Sequence, residues 1–417
     1  MWKFEQHTEL TQITTRQDSA LGIMRWGENN SFPQTFLNLI EQSPSAKPAV
    51  TRTAAFLKGG EFKGDDTVIN PQGLTLKQLV SHMADDYARF EAFAVVCNYN
   101  LQGKVVSMYP MNIAELRLNE FDELGYASKI GYHENFGRNS VVKKLIVNTV
   151  TRDKIKWIDR FNPTYAKEQI KSCEGGIANY KGQILYYSKN GHSNYPTPPL
   201  QSQVNFLLAD VENSILMRKE SSTGFINTYL LKTSLGSEDV ALTELEESLQ
   251  EAQGARGAGK VIVMPDVNPE TIHAHVLEEF GSGASGNSVM DNIQKSYNLC
   301  HKVINGAYLI PPILAGADQQ TGFSAPDLKS AYFVFNTQTQ EGRDTIEAEI
   351  NKILKNSVFK TKSIKINKLK LDEEEMLMGS EGAPNAGVPK AQPKAEPKEK
   401  KVEPKKEKKV EPKEKKE

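Results

Sequence analysis

Over the first sixty residues, apolar positions recur at helical spacing between proline and glycine signals. Pro33 suits a first helical position, and Phe36, Leu37 and Ile40 follow it on one face. Pro44 and Pro48 predict a break before a second helix over Ala49 to Leu57, which Gly59 and Gly60 end. Thr75 precedes Leu76, Leu79, Val80, Met83, Tyr87 and Phe90, a stripe that predicts a helix with one buried side. Two β-rich runs, Ala94 to Tyr99 and Val105 to Tyr109, flank Asn100 to Gly103, whose Asn and Gly suit the positive φ of a tight hairpin. Short runs at 129–133, 145–150, 155–159 and 183–188 predict further strands. The first half therefore reads as α+β with a mostly antiparallel sheet.

Tyr195-Pro196-Thr197-Pro198-Pro199 predicts an extended connector and a domain boundary, because three prolines fix φ and remove donors. Beyond it, Val204, Leu207, Leu208, Val211 and Ile215 mark an amphipathic helix running to about Glu220. β-like residues Phe225 to Lys232, an acidic helix over Leu242 to Gln253, a Gly-rich turn and a strand at Val261 to Met264 come next. Ser288 and Asp291 fit a capping box, and Ile293, Tyr297, Cys300, Ile304 and Tyr308 continue from it as a helix-packing stripe. Pro311 and Pro312 stop this helix after roughly 20 residues, or about 30 Å. A polar loop over Gly316 to Ser324 leads to Leu328 to Phe335, and Ile346, Ile350, Ile353 and Leu354 place a last amphipathic helix.

Composition changes this picture at one end. Residues 390–417 hold 12 Lys and 7 Glu of a 417-residue chain with formal net charge -1, which leaves -6 for residues 1–389. KKVEPKKE at 400–407 is nearly repeated at 408–415, with too few apolar side chains to offset the entropy of ordering, so a disordered tail is expected over 379–417. The body is mildly acidic, and no Lys/Arg cluster dense enough for tight phosphate binding stands out before the tail, so any DNA contact is expected to be loose. Cys97, Cys173 and Cys300 are scattered, which points away from a disulfide framework or zinc site and fits the reducing cytosol. The N-terminus lacks the pattern of a secretory signal, and no apolar run is long enough to span a bilayer; no membrane partner is expected.

Candidate chemistry is sparse. Gly254 to Lys260 has the GxxxxGK spacing of a phosphate-binding loop, but Val261 stands where Ser or Thr would hold magnesium, and a helix-like run precedes it while a strand comes after. His273 and His275 lack a third ligand, and His192 and Ser193 lack a carboxylate or Gly-x-Ser-x-Gly context. Asp85, Asp86 and the run Asp372 to Glu375 read as solvated carboxylates. No catalytic residue, metal site or cofactor is expected. A nucleotide-binding enzyme using the 254–260 turn stands as the alternative, with a capsid or tail subunit as a third reading.

The order of these pieces over residues 20–360 resembles the portal family of tailed bacteriophages. Trp26-Gly27-Glu28-Asn29-Asn30-Ser31-Phe32-Pro33 is similar to that family's N-terminal WG-x-N-x-x-P motif. The Gly59-Gly60 turn, the hairpin, the YPTPP connector and the run Ile310 to Gly316 fall where portals have similar elements. The resemblance implies a portal-like fold with a wing over 1–200, a first stem helix over 201–224, a clip over 225–275 and a second stem helix over 286–312. A channel loop over 313–327 and a wing or crown-side helical segment over 328–378 would complete it. It also implies a non-enzymatic ring of about a dozen copies at one capsid vertex, assembled in the host cytoplasm and kept in the virion. Double-stranded DNA would pass through without sequence preference. Terminase large subunit, the major capsid or scaffold protein and a head-tail connector protein would be partners. Asp318, Gln319, Gln320 and Thr321 are the candidate channel residues; Arg256 and Lys260 are weaker candidates for motor docking. Trp26, Gly27, Asn29, Pro33, Pro311 and Pro312 carry the structural motif. Residues 150–184 match nothing in that pattern, and the tail is an addition to it.

Overall fold

The computed structural model describes residues 15–137, 139–142, 145–148, 150–191, 195–223, 229–232, 261–264, 276–279, 286–316 and 325–370. Elements β1 (Thr15–Asp18) and β2 (Ile23–Trp26) form an antiparallel pair. Three helices come next in the chain, α1 (Phe32–Gln42), α2 (Ala46–Lys58) and α3 (Leu76–Phe90). Pro33 sits at the start of α1 as its position suggests. Pro48 does not break the chain. It lies in the first turn of α2, where a missing N–H costs nothing, so that helix begins three residues earlier than expected. Thr75 caps α3 reciprocally with Gln78, and the six apolar positions of the stripe are all buried.

The helices pack against a six-stranded sheet. Its strands are β3 (Ala92–Tyr99), β4 (Val105–Met111), β5 (Leu116–Leu118), β6 (Lys129–Tyr132), then, after a separate pair β7 (Asn139–Val142) and β8 (Leu145–Asn148), β9 (Lys156–Arg160). Helix α4 (Ala166–Ser172) leads to the sixth strand, β10 (Gln183–Ser188). The order is β4-β3-β10-β9-β6-β5, antiparallel except between β9 and β10. The hairpin between β3 and β4 turns as its sequence dictates: Gly103 has φ 71°, and the Asn100 side chain accepts from the Gln102 and Lys104 N–H groups.

Residues 150–184 are structural. They supply β9 to the sheet, and the buried Gln183 amide ties the segment together: Nε2 donates to the Asn162 carbonyl at 2.9 Å and to Gln169 Oε1 at 2.8 Å, while Oε1 accepts from the Tyr99 hydroxyl at 2.6 Å. Each polar atom of this amide has a partner, so its burial leaves no donor or acceptor unsatisfied.

In the second half, α5 (Val204–Thr223) leads to a small sheet in which β11 (Tyr229–Lys232) lies between β12 (Val261–Met264), parallel to it, and β13 (Val276–Glu279), antiparallel. Helix α6 (Gly286–Ala307) then begins two residues before Ser288, which places that serine inside the helix rather than at its cap. The short α7 (Pro312–Ala315), α8 (Ala325–Gln338) and α9 (Gln340–Lys355) complete the regular elements. Ile346, Ile350, Ile353 and Leu354 of α9 are fully buried against the same core as α3.

After α9 the chain continues as an arm, 356–370, without a strand of its own. Its backbone is held by side-chain amides. Asn351 donates to the Ile364 carbonyl and accepts from the Ile364 N–H; Asn336 does the same for Leu369. The Gly60 N–H donates to the Asn367 carbonyl at 2.9 Å. Gly59 has φ 63°, and a Cβ there would lie inside the van der Waals envelope of that carbonyl oxygen. Gly59→Ala is therefore expected to lower unfolding free energy by about 2–4 kcal/mol in urea titration, through both backbone strain and displacement of the arm. A loss below about 0.5 kcal/mol would mean that the arm is not seated against this turn.

Candidate functional site

The WGENNSFP segment folds around a buried charge. Gly27, at φ 82°, brings the chain close to Phe32, and Asn30, at φ 57°, turns it into α1. Asn30 is buried, whereas Asn29 is exposed. The Asn30 side chain accepts from the Trp26 N–H at 3.1 Å and from Arg117 Nε. Arg117 is fully buried, with no carboxylate partner among the described residues: Nη2 donates to the Asn30 carbonyl at 2.8 Å, and Nη1 to the carbonyls of Ala114 and Leu116 at 2.8 and 2.7 Å. The guanidinium lies over the rings of Phe136 and Trp26, 5.0 and 5.8 Å from their centroids. Burial pulls its pKa down to about 10, so it stays charged at neutral pH. Dipoles and ring faces neutralise it in place of an anion.

Trp26 also carries the YPTPP connector. The Tyr195 ring stacks on its indole at 4.6 Å and 6°, while the Tyr195 hydroxyl donates to the Met24 carbonyl at 2.5 Å and accepts from the Leu118 N–H at 3.0 Å. The connector is thus anchored in the main core.

From that anchor α5 leaves against α6. Asn213 donates to Ser296 Oγ at 2.9 Å and approaches Cys300, and Met217 shares a groove with Ile293, so the two helices run antiparallel. Ile293, Cys300 and Ile304 are buried as their spacing foretold. At the base of α5, the buried Asp210 carboxylate accepts from Ser43 Oγ at 2.6 Å, Ser45 Oγ at 3.1 Å and the Ser45 N–H at 3.0 Å. It serves as a borrowed cap for the first turn of α2. The pair exposes Leu216, Met217 and Leu299, the last 55% accessible, and Met217 lines a groove of about 250 Å³ with Asn213, Ile293 and Tyr297.

The Pro-Pro turn ends α6 in three steps. Leu309 takes a left-handed φ of 53°, its N–H bonded to the Gly306 carbonyl; Ile310 turns back into the core, its N–H on the Asn305 carbonyl at 3.1 Å. Pro311 is then extended, as a residue before proline prefers, and Pro312 opens α7, where a missing N–H is harmless. His301 Nε2 lies 3.2 Å from the Ala315 carbonyl and braces the turn.

The channel candidates Asp318, Gln319, Gln320 and Thr321 lie outside the described residues, as do Arg256, Lys260, His192, Ser193, His273, His275, residues 372–375 and the tail. Strand β12 begins immediately after Lys260, so the helix a phosphate-binding loop requires is not in place. Among the described residues no cluster of three His, Cys, Asp or Glu could hold a metal, and no helix is long and apolar enough to cross a membrane.

Two expectations from the sequence change. Asp85 and Asp86 are not a solvated pair: Asp85 bonds Lys58 at 3.1 Å, and Asp86 is only 18% exposed beside Arg89 at 3.6 Å. Burial raises the Asp86 carboxyl to about 7, Arg89 opposing and Asp85 adding to the shift. The region before the tail does contain a dense lysine cluster: Lys360, Lys362, Lys365, Lys368 and Lys370, all exposed on the arm with no Asp or Glu between 356 and 370. Averaging charge over the whole body hides it.

No family model matches the chain, and no curated protein matches its sequence. Solved structures do align with it over most of its length. A chain from the neck of an empty gene transfer agent particle, computed with C6 symmetry, aligns with TM-score 0.46 at 13% identity, covering 84% of this chain and 88% of that one. A chain from the native gene transfer agent virion aligns with TM-score 0.45 at 14% identity and the same coverage. A HK97-family phage portal protein from Corynebacterium diphtheriae aligns with TM-score 0.41 at 12% identity, over 83% of this chain and 98% of that one.

Arg117→Lys is expected to cost about 3 kcal/mol in denaturant titration, since an ammonium cannot serve four acceptors laid out for a planar fork. A near-neutral result would remove the guanidinium from its central place. Asp86 gives a pH signature. Between pH 4 and 7 the folded chain keeps a proton that the unfolded chain releases, so stability falls as pH rises through that window, by on the order of a few kcal/mol. Asp86→Asn should flatten that slope when unfolding is compared at pH 4.5 and 7.5; an unchanged slope would assign the dependence elsewhere.

Proposed function

We propose that this protein is the portal subunit of a tailed bacteriophage, a non-enzymatic member of a ring of about a dozen copies at one capsid vertex. DNA would pass through the ring during packaging and ejection. The observation that carries the reading is the antiparallel pair α5 and α6, rooted in an α+β body by Asp210 and Tyr195 and closed at one end by the Pro-Pro turn. In the order the resemblance implies, the body is the wing, the pair is the stem, and the small sheet β11 to β13 between its helices in sequence belongs to the clip. That clip would dock the terminase large subunit and later a head-tail connector protein, with Arg256 and Lys260 at the motor contact. Asp318 to Thr321 would meet passing double-stranded DNA after the turn.

Physics supports the stem assignment. Exposed Leu216, Met217 and Leu299 on paired helices are unfavourable on a solitary subunit and are buried when a heterologous contact closes into a ring. The mildly acidic body suits a conduit, because each neutralised phosphate adds affinity that movement must break.

Native mass spectrometry of the purified chain, with negative-stain images of the same sample, tests the reading. Expected is a perforated ring of about a dozen copies, with or without added scaffold protein. A compact monomer that stays monomeric with scaffold, and that ATP stabilises against heat, would favour the nucleotide-binding alternative instead.

A further inference from the structure

The arm carries five lysines within residues 360–370, a local charge of +5 on a chain whose net charge is -1. All five are exposed, and among the described residues none has a carboxylate within ion-pair distance. They are carried on a backbone whose Ile364 and Ile366 are buried in the core, so the five charges follow one another along an anchored segment, a lysine ridge in sequence. Seating such a ridge has a purpose only if its field is used, since lysines needed merely for solubility can sit anywhere on a surface.

An aromatic ring stands beside the ridge. Phe333 of α8 is 68% exposed, next to Val334 at 45%, and the Lys368 ammonium lies 6.0 Å from its ring centroid. Leaving a phenyl ring in water on a helix that has Ala331 and Phe335 to bury is unfavourable. A row of cations with an accessible π-face is the combination that grips unpaired nucleic acid: the cations track phosphates, and the ring stacks against a base regardless of its identity. A duplex offers the phosphates but keeps its base faces stacked inside.

We propose that the ridge Lys360 to Lys370, with Phe333 as a stacking platform, binds single-stranded nucleic acid without sequence preference. This goes beyond the portal reading and stands apart from it, because these lysines lie on the arm and not among the candidate channel residues Asp318 to Thr321. It also replaces, for this face, the expectation of loose contact drawn from the average charge.

Fluorescence anisotropy with the full chain and an oligothymidylate of about 20 nucleotides, titrated with potassium chloride, tests it. The combined variant Lys360→Gln, Lys365→Gln, Lys370→Gln leaves in place Lys362, which donates to the Ser357 carbonyl, and Lys368. It is expected to weaken binding at least tenfold near 50 mM salt and to reduce the magnitude of the salt slope by about 2. Phe333→Ala, at an exposed position, is expected to weaken binding at least about fivefold with the slope unchanged. Three matched changes in the tail, Lys400→Gln, Lys401→Gln and Lys405→Gln, control for its charge. The proposal is overturned if the wild-type chain does not bind the oligomer, or if the ridge variant or Phe333→Ala binds as wild type does. It is equally overturned if the tail changes reproduce the ridge loss, or if a duplex or polyglutamate of equal charge binds as tightly. Native mass of the same samples shows separately whether rings form, so failure of either reading is told from failure of the other.

Discussion

A guanidinium buried without a counter-ion is the constraint around which the first half of the molecule is arranged. Arg117 holds its charge with carbonyl dipoles, one amide oxygen and two aromatic faces, drawn from three stretches of the chain: Trp26 to Asn30, Ala114 to Leu116 beside the arginine itself, and Phe136. The left-handed Asn30, the close approach at Gly27 and the turn before β5 are the backbone conditions for that solution. Arg343 repeats the arrangement near the other end. It donates to the Phe56 carbonyl at 2.9 Å and Thr339 Oγ1 at 2.7 Å, and also to the Asn336 carbonyl. Losing any one acceptor leaves a charge in a poor dielectric, which makes such clusters demanding of geometry.

Polar groups also close the long sequence distances. Asp210 reaches back to Ser43 and Ser45, Tyr195 to Met24, and Asn367 to Gly60. Apolar burial brings these segments together, while the hydrogen bonds fix which residues meet, because a misplaced buried carboxylate or hydroxyl would go unpaired. The proline connector is extended as its composition requires, yet its tyrosine is part of the main core.

The helices were legible where a stripe repeats at three and four residues, as in α3, α6 and α9, and the hairpin where Asn and Gly stand together. The polar anchors were not. Asn30, Arg117, Asp210 and Gln183 resemble surface residues in any local window, and only tertiary neighbours separate them from one. The arm was missed for a related reason: Ile364 and Ile366 alternate with lysines as a strand would, but their stretch is held by the side chains of Asn336, Glu347 and Asn351, and the arm meets a strand only at the isolated bridge of Ser357 to Val105. Pro48 misled because a proline three residues into a helix and one that ends it look the same in sequence.

That manner of holding the arm determines how load would enter the fold. A pull on the chain beyond residue 370 meets the Asn336 amide first, then the Gly60 N–H at the Asn367 carbonyl, then Glu347 at the Ile366 N–H, then Asn351 at Ile364. Latches loaded in series open one at a time, like a zipper, whereas strands sheared in parallel resist together. Under such a load the arm would open from its outer end, and Ile366 and Ile364 would leave the core only after the Leu369 and Asn367 contacts had parted.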